Sequence, residues 1–408
     1  MATRPGRACV LYLVLGAWAV AAAGSPAAAQ TRDEPYSFAR GRVTFGGEVA
    51  GMLAPEDNEA FFNYTDYERD ALRMARLRLF TEWRVARPLS VVAEVRTENA
   101  DALEVSALYA RWRPVESHEL DIQIGRIPPV IGAFARRAYG RDNLVVGLPL
   151  AYQYLTSLRP DALPATVDDV LRMRGRGWRP SYPIGSQTVE TGVPLASATR
   201  WDTGVEARWR SGWVEVAGAF TRGAPAVPVV QETNGGRQWS GRTAFHLPVG
   251  VTVGVSGARG EWIEDEVLTL LPEARREESD QSLVGVDVEA GLGHWLLRAE
   301  SIWSSFQIPI LFTPSASPLR SWSGFFEGRY RWHPRWQAAG RAEHIAFGTV
   351  PGPVGPTTWD APVTRLEAII GFRATRAIEL RGGWQHNWRD GGRIEEQGSP
   401  VVQVLFWF

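Results

Sequence analysis

From Gly41 to the C-terminus, apolar and polar residues alternate in short runs separated by turn-forming residues. In 77–85, Leu77, Leu79, Trp83 and Val85 oppose Arg76, Arg78, Glu82 and Arg84. In 322–332, Trp322, Gly324, Phe326, Gly328, Tyr330 and Trp332 oppose Ser323, Phe325, Glu327, Arg329 and Arg331. In 378–388, Ile378, Leu380, Gly382, Trp384 and Trp388 oppose Glu379, Arg381, Gln385 and Asn387. A period of two is that of a β-strand with one oily and one wet face. About sixteen strands are predicted: 41–53, 73–86, 88–98, 103–113, 118–128, 199–210, 212–222, 237–247, 249–260, 281–291, 293–306, 321–333, 335–348, 361–374, 377–389 and 399–408. No shift in composition divides them, so they read as one all-β domain.

The connections sort by length. Every second one is a tight turn, as at Arg87-Pro88, Ser211-Gly212, Leu247-Pro248-Val249-Gly250 and His333-Pro334-Arg335. The others are mostly long and polar or rich in Pro and Gly, such as 54–72, 223–236, 261–280, 307–320 and 349–360. Short turns at one end and long loops at the other are expected of a transmembrane antiparallel barrel, with the short turns periplasmic. A soluble β-sandwich, the alternative for any single strand, has no reason to segregate its loops this way. Trp residues gather at the strand ends, where a membrane-interface girdle would lie.

The N-terminus points the same way. Arg4 and Arg7 precede an apolar run from Val10 to Ala23, and Ala27-Ala28-Ala29 before Gln30 offers a small-residue cleavage site. Residues 1–29 are therefore expected to be a signal peptide cleaved after Ala29, leaving 30–408 as the barrel. The run is too short for an ordinary spanning helix, and no apolar stretch downstream is long enough to be one. Cys9 is the single cysteine and would leave with the signal.

All 44 basic residues are Arg, against 45 acidic ones, so the net charge is −1. Without Arg4 and Arg7 the mature chain is slightly more acidic, which argues against a nucleic-acid partner. The inward parity repeats a device of opposite charges two residues apart: Glu94/Arg96, Glu206/Arg208, Arg298/Glu300, Glu327/Arg329, Arg341/Glu343, Arg365/Glu367 and Glu379/Arg381. Residues i and i+2 share a face, so these pairs face one lumen. They either satisfy one another and stiffen the wall, or form an ionic lining for charged solutes. Strand 249–257 departs from the pattern, with Thr252, Gly254 and Ser256 inward.

At the long-loop end the second connection is almost a bare turn at Asn99-Ala100-Asp101, while the third, 129–198, is the outlier in length. It carries a capping box at Thr166-Val167-Asp168-Asp169, with Val167, Val170 and Leu171 on one helical face. It is rich in Arg: Arg136, Arg137, Arg141, Arg159, Arg172, Arg174, Arg176 and Arg179. These would either narrow a pore with positive charge, which favours anions, or pair with the wall and with lipopolysaccharide phosphates. Loops 54–72 and 261–280 are acidic (Glu56, Asp57, Glu59, Asp66, Glu68, Asp70; Glu264, Asp265, Glu266, Glu273, Glu277, Glu278) and lack calcium-loop spacing. No metal and no cofactor is expected.

Three features carry a family resemblance. The last strand places Val402, Val404, Phe406 and Phe408 on one face and stops on Phe. Such an end resembles the closing strand of bacterial outer-membrane barrels, whose terminal Phe is read by the barrel-assembly machinery. Strand number and loop order resemble the sixteen-stranded trimeric porins, which fold their third loop into the channel. Gly125-Arg126-Ile127-Pro128-Pro129-Val130-Ile131-Gly132 is similar to a stretch at the same place in phosphate-selective-type porins, though Val-Ile stands where Phe is usual and no Lys cluster follows. The resemblance implies an outer-membrane porin passing small hydrophilic solutes by passive diffusion, with mild anion preference and an inward third loop. Outer-membrane lipid and lipopolysaccharide would surround it. The outward small residues Ala338, Gly340, Ala342 and Ala346 suit a homotrimer contact. The expected pore lining is Arg136, Arg137, Arg141, Arg172, Arg174 and Arg176 of the loop, with Arg76, Arg78 and the seven wall pairs.

The alternatives are a structural or adhesin barrel, and a barrel enzyme. Against the enzyme, His118, His294 and His333 sit at tight turns, and His246, His344 and His386 fall in no nucleophile or metal motif.

Overall fold

The computed structural model describes residues 35–57, 59–65, 69–101, 103–115, 119–228, 236–276, 279–310 and 318–408. The expected signal peptide with Cys9 and Ala29, together with Asp66, Glu68, His118, Glu277 and Glu278, lies outside the described residues.

Sixteen antiparallel strands close a barrel. They are β1 (Val43–Leu53), β2 (Ala75–Arg84), β3 (Leu89–Glu98), β4 (Glu104–Trp112), β5 (Leu120–Ile127), β6 (Asp202–Ser211), β7 (Val214–Thr221) and β8 (Gln238–Leu247). Then follow β9 (Val251–Glu261), β10 (Asp280–Leu292), β11 (Trp295–Phe306), β12 (Leu319–His333), β13 (Trp336–Phe347), β14 (Val363–Arg373), β15 (Ile378–Arg389) and β16 (Glu396–Trp407). Each strand pairs with the next, and β16 closes on β1 with Glu48 opposite Trp407. Every predicted strand is present. The terminal Phe408 continues the seam: it exchanges backbone hydrogen bonds of 3.0 Å with Gly47 and packs its ring against Phe45, Phe406 and Tyr36. Tyr36 belongs to a short strand, Tyr36–Phe38, that pairs with the start of β1.

Outward side chains form a hydrophobic belt that includes exposed Leu108, Ile124, Val205, Val255, Phe326, Leu366, Ile370 and Val402. Exposed Trp residues rim both edges. Trp83, Trp112, Trp209, Trp213, Trp295, Trp332 and Trp336 lie at the short-turn end, and Trp239, Trp303 and Trp388 at the long-loop end. An apolar band between two aromatic girdles is the exterior of an outer-membrane barrel. No helix among the described residues is long and apolar enough to cross a membrane.

Gly254 explains the irregular strand. Arg242 on β8 and Asp287 on β10 join across β9 at 2.5 Å, and a Cβ at position 254 would stand 2.4 Å from both side chains. Glycine there opens the path for an ion pair that skips one strand.

Candidate functional site: the lumen and its plug

The segment after β5 turns into the barrel at Pro128 and emerges near Trp201, one residue before and three residues after the predicted loop bounds. Its contacts run round the wall, which places it inside the lumen. Gly132 N–H donates to Ser256 on β9 at 3.1 Å, and Ala133 and Phe134 N–H donate to Glu300 on β11 at 2.7 and 3.1 Å. Arg136 makes two bonds to Glu206 on β6, at 3.0 and 3.1 Å, and Arg137 pairs with Glu289 on β10. Arg141 N–H donates to Glu48 on β1 at 3.0 Å. Val146 and Gly147 N–H donate to Glu367 on β14 at 2.8 and 3.0 Å, and Leu150 N–H to Glu343 on β13 at 2.6 Å.

Wall arginines supply the complementary half. Arg298 donates to Asp142 C=O at 2.8 Å, Arg341 to Gly147 C=O at 2.8 Å, Arg381 to Asn143 C=O at 2.9 Å and Arg365 to Leu148 C=O at 3.2 Å. Irregular backbone cannot satisfy itself, and leaving it unpaired in a lumen is costly. Here carboxylates take its N–H groups and guanidiniums take its C=O groups. Glycines permit the close approach: a Cβ on Gly132, Gly140 or Gly147 would fall 2.8, 2.4 and 2.7 Å from a carboxylate oxygen of Glu300, Glu48 and Glu367 respectively.

Side chains seal the contact. Tyr139 stands among Arg76, Arg78 and Arg96, whose guanidinium carbons lie 5.1, 5.0 and 6.0 Å from its ring centre. Tyr152 donates its hydroxyl to Glu300; burial first, and that carboxylate second, push the phenol well above its usual range and keep it a donor. Leu144, Val145 and Val146 pack on inward Ala50, Ile369, Val401, Leu405 and Trp407. Ile131, Phe134 and Tyr152 pack on inward Leu283, Ile302 and Phe325.

Beyond Tyr152 the loop builds a cap at the long-loop end. Leu158, Leu163, Val170, Val193 and Leu195 join Phe62, Trp262, Ile263, Phe306, Leu319 and Trp359 in one buried apolar cluster. Val167–Arg172 is helical, and Thr166 and Asp169 form the predicted capping box. Asp360 anchors the cap: it accepts N–H groups of Ser157, Gly175 and Ala361, each at 2.7 Å, and burial raises its carboxyl.

The expected pore residues therefore divide three ways. Arg172 and Arg176 are exposed on the outer face of the cap, and Arg174 binds Thr358 and Asp390 of neighbouring external loops at 2.9 and 3.3 Å. Arg172 ends the capped helix and Arg174 and Arg176 follow it in the cap, away from the plug contacts, so the structure corrects their expected place. Arg136, Arg137 and Arg141 remain partly exposed on the plug face turned to the short-turn end. The wall charges at plug level are covered: Glu206, Glu327 and Arg365 are 0% exposed, and Glu94, Arg96, Glu300, Arg341, Glu343, Glu367, Glu379 and Arg381 are buried. Arg96, Glu206, Glu300, Arg341, Glu343, Arg365, Glu367 and Arg381 hold the plug instead of lining open water, whereas Glu94, Glu327 and Glu379 pair with neighbouring wall residues. Arg76 is buried with Glu98 at 3.0 Å, while Arg78 with Glu94 at 2.7 Å, Arg208 with Glu206 at 2.8 Å, Arg298 with Glu289 at 2.8 Å, and Arg329 keep some exposure. Within single strands Glu206–Arg208 and Glu379–Arg381 pair (2.8 and 2.6 Å); Glu327 turns to Arg341 at 2.6 Å and Arg96 to Glu104 at 3.2 Å.

Glu48, Glu289, Asn143, Tyr139 and Tyr152 were missed by sequence reasoning. A signal existed: Leu283, Ile302, Phe325, Ile369, Leu405 and Trp407 are large apolar residues on the parity expected to meet water. A lumen lined by them must be filled. Two enclosed spaces beside the plug measure about 20 and 10 Å³, room for a water each. At the short-turn end a cleft of about 630 Å³ opens among Arg84, Arg87, Leu89, Arg113 and Val115.

No family model and no curated protein sequence matches the chain. Solved structures do. OmpF of Salmonella typhi, solved with daunomycin, aligns with TM-score 0.56 and 10% identity over 90% of this chain and 97% of its own. Outer-membrane-expressed OmpT of Vibrio cholerae aligns with TM-score 0.55 and 8% identity over 92% and 100%. An anion-selective porin from Comamonas acidovorans aligns with TM-score 0.51 and 10% identity over 90% and 99%. At such identity the likeness is one of fold: the chain has the sixteen-stranded porin fold.

Proposed function

We propose that the protein is an outer-membrane channel of the porin type for small hydrophilic solutes, with mild anion preference, restricted by the segment 129–153. Its place would be the bacterial outer membrane after signal cleavage. One observation carries the reading: the plug crosses a sixteen-stranded lumen and keeps Arg136, Arg137 and Arg141 at least partly exposed. Arg is charged at any working pH, and its planar fork suits carboxylate and phosphate. The acids nearest two of them, Glu206 and Glu289, are already engaged by Arg208 and Arg298 as well, so the field at the plug stays positive. That an anion-selective porin shares the fold is consistent with this reading.

The test is conductance in planar bilayers, with reversal potential under a salt gradient. Small, anion-favouring channels are expected, and neutralising Arg136, Arg137 and Arg141 to Gln should move the reversal potential toward cations.

A second reading, a non-conducting barrel with a structural or adhesive role, is favoured by the apolar cluster that fills the external end, where Trp262, Phe306 and Trp359 are fully buried. Absence of channels would favour it. We propose no catalysis. Among the described residues, Thr252–His246–Glu215 comes nearest to a catalytic arrangement, with His246 Nδ1 3.1 Å from Thr252 Oγ1. Its Nε2 lies 3.7 Å from Glu215, beyond a hydrogen bond, and Arg208 holds that carboxylate at 2.9 Å.

A further inference from the structure

The cleft at the short-turn end is held together by the first two short turns. Val85 and Ala86 N–H donate to Leu89 C=O at 3.0 and 3.1 Å, which closes the turn between β2 and β3. Arg113 N–H, just past β4, donates to Pro88 C=O at 2.7 Å and ties the second turn to the first. At the end of β2, Arg84 stands opposite Ser90, and its N–H donates to Arg42 C=O at 2.7 Å. Glu82 and Arg84 keep the parity of inward Arg76 and Arg78, and Ser90 is buried. The result is one space of about 630 Å³ on which Arg84, Arg87, Arg113, Glu82, Leu89 and Val115 all border.

Charge in this space is uneven. Three guanidiniums border it, against one carboxylate among the described residues, Glu82. Glu82 is itself 3.8 Å from Arg111. Asp121, beside Arg113 at 3.1 Å, is also approached by Arg111 at 3.4 Å and accepts from Gln123 at 3.1 Å. Arg84 is exposed, and its guanidinium has no partner among the described residues. Polarity is uneven as well: Leu89 and Val115, 36% and 43% exposed, add apolar surface to the same space. A concavity of roughly 300–1,000 Å³ with apolar walls and a few placed charges is the usual form of a small-molecule site.

We propose that this cleft binds an amphipathic organic monoanion, a carboxylate carried on a small apolar body. The carboxylate meets Arg84, whose planar fork matches two oxygens. The apolar body covers Leu89 and Val115, which gains the free energy of taking that surface out of water. Glu82 on the same lining opposes a second negative charge on the ligand. Chloride or acetate can reach the arginine but leaves the apolar surface wet. The site sits on wall turns apart from the plug arginines and is read at equilibrium. It does not need the barrel to conduct, so its failure and that of the channel reading can be told apart.

The experiment is isothermal titration of the full mature protein in detergent with sodium benzoate at fixed ionic strength, with heats into protein-free micelles subtracted. Acetate, which lacks the apolar body, and benzamide, which lacks the charge, are titrated in parallel. Saturable one-site binding of benzoate is expected, with acetate and benzamide each weaker by about tenfold or more. Arg84→Gln should weaken benzoate about tenfold. Val115→Thr keeps the side-chain shape but makes it polar, so a smaller loss of about threefold is expected. Arg172→Gln, on the cap, should leave binding unchanged. No saturable heat with benzoate, or undiminished binding by the Arg84 variant, overturns the proposal. Acetate or benzamide binding as tightly as benzoate overturns it too, since the site would then read only charge or only apolar surface. So does an equal loss in the Arg172 variant, which marks non-specific counter-ion association. The heat-shifted electrophoretic mobility of each folded variant shows that lost binding is not lost structure.

Discussion

At the residue scale, the account rests on glycines and charges that serve the plug's backbone. Gly147 lies against Glu367 and Gln385. Replacing Glu367 by Ala leaves Val146 and Gly147 N–H without their acceptor, a loss of about 1–3 kcal/mol per buried group. The expected result is faster amide exchange over 143–150 in a barrel that still forms. Gly254→Ala tests the wall itself, because its Cβ would enter the Arg242–Asp287 contact. Overpacking of this kind costs about 1–3 kcal/mol, read as a lower unfolding temperature in detergent. Much at this scale was legible in sequence. Alternation put these Arg and Glu on the inward parity, and strand 249–257 stood out for carrying only Thr252, Gly254 and Ser256 there. Their partners were not legible. Glu300 and Arg298 sit two apart on one strand, yet Glu300 binds plug N–H groups and Arg298 binds a plug carbonyl. Chain spacing tells which face a charge occupies; what fills the lumen decides which group it meets.

At the element scale, the strands, their turns and the capping helix follow from local chemistry. Thr166 accepts from Asp169 N–H and Asp169 reaches back to the N-cap. Thr166→Ala should cost about 1 kcal/mol and loosen 167–172, seen as earlier proteolysis in the cap with the barrel intact. An inward third loop was only what the family resemblance implied, and nothing in the residues themselves fixed its course. Arg172, Arg174 and Arg176 looked equivalent to Arg136, Arg137 and Arg141 because composition alone does not separate a helix on the cap from a segment threaded below it. Neutralising the cap arginines is accordingly expected to leave ion selectivity unchanged.

The first external loop carries a pH response. Burial raises Asp70, which lies outside the strands, to about 6, against the pull of Leu72 N–H. A carboxyl with a raised folded pKa binds more protons folded than unfolded. Its favourable share is therefore full below the unfolded value of 3.8 and is lost as pH climbs through about 6. Intrinsic-rate-corrected amide protection around 70–74 is expected to fall between pH 5 and pH 7; a rise over that interval would contradict the assignment.

At the scale of the whole molecule, the closing seam and the filled lumen matter most. Phe408 joins β16 to β1 through Gly47 and three aromatic neighbours. Deleting it should lower the heat-modifiable fraction, because the seam loses its last rung. The fold was readable from alternation, loop lengths and the aromatic end. The degree of filling was harder to read, since Leu405 and Trp407 share a strand whose outward face is apolar as well, so neither face marks the lumen by polarity.

The most direct measurement is single-channel conductance of the purified barrel in planar bilayers, with reversal potentials for the wild type and for the Arg136→Gln, Arg137→Gln, Arg141→Gln variant. A plug that narrows the lumen and faces it with arginine predicts conductance several-fold below that of an open sixteen-stranded porin measured in the same membrane. It also predicts a reversal potential on the anion side that moves toward cations in the variant. Wide, weakly selective channels, cation preference in the wild type, or no channels at all would contradict it.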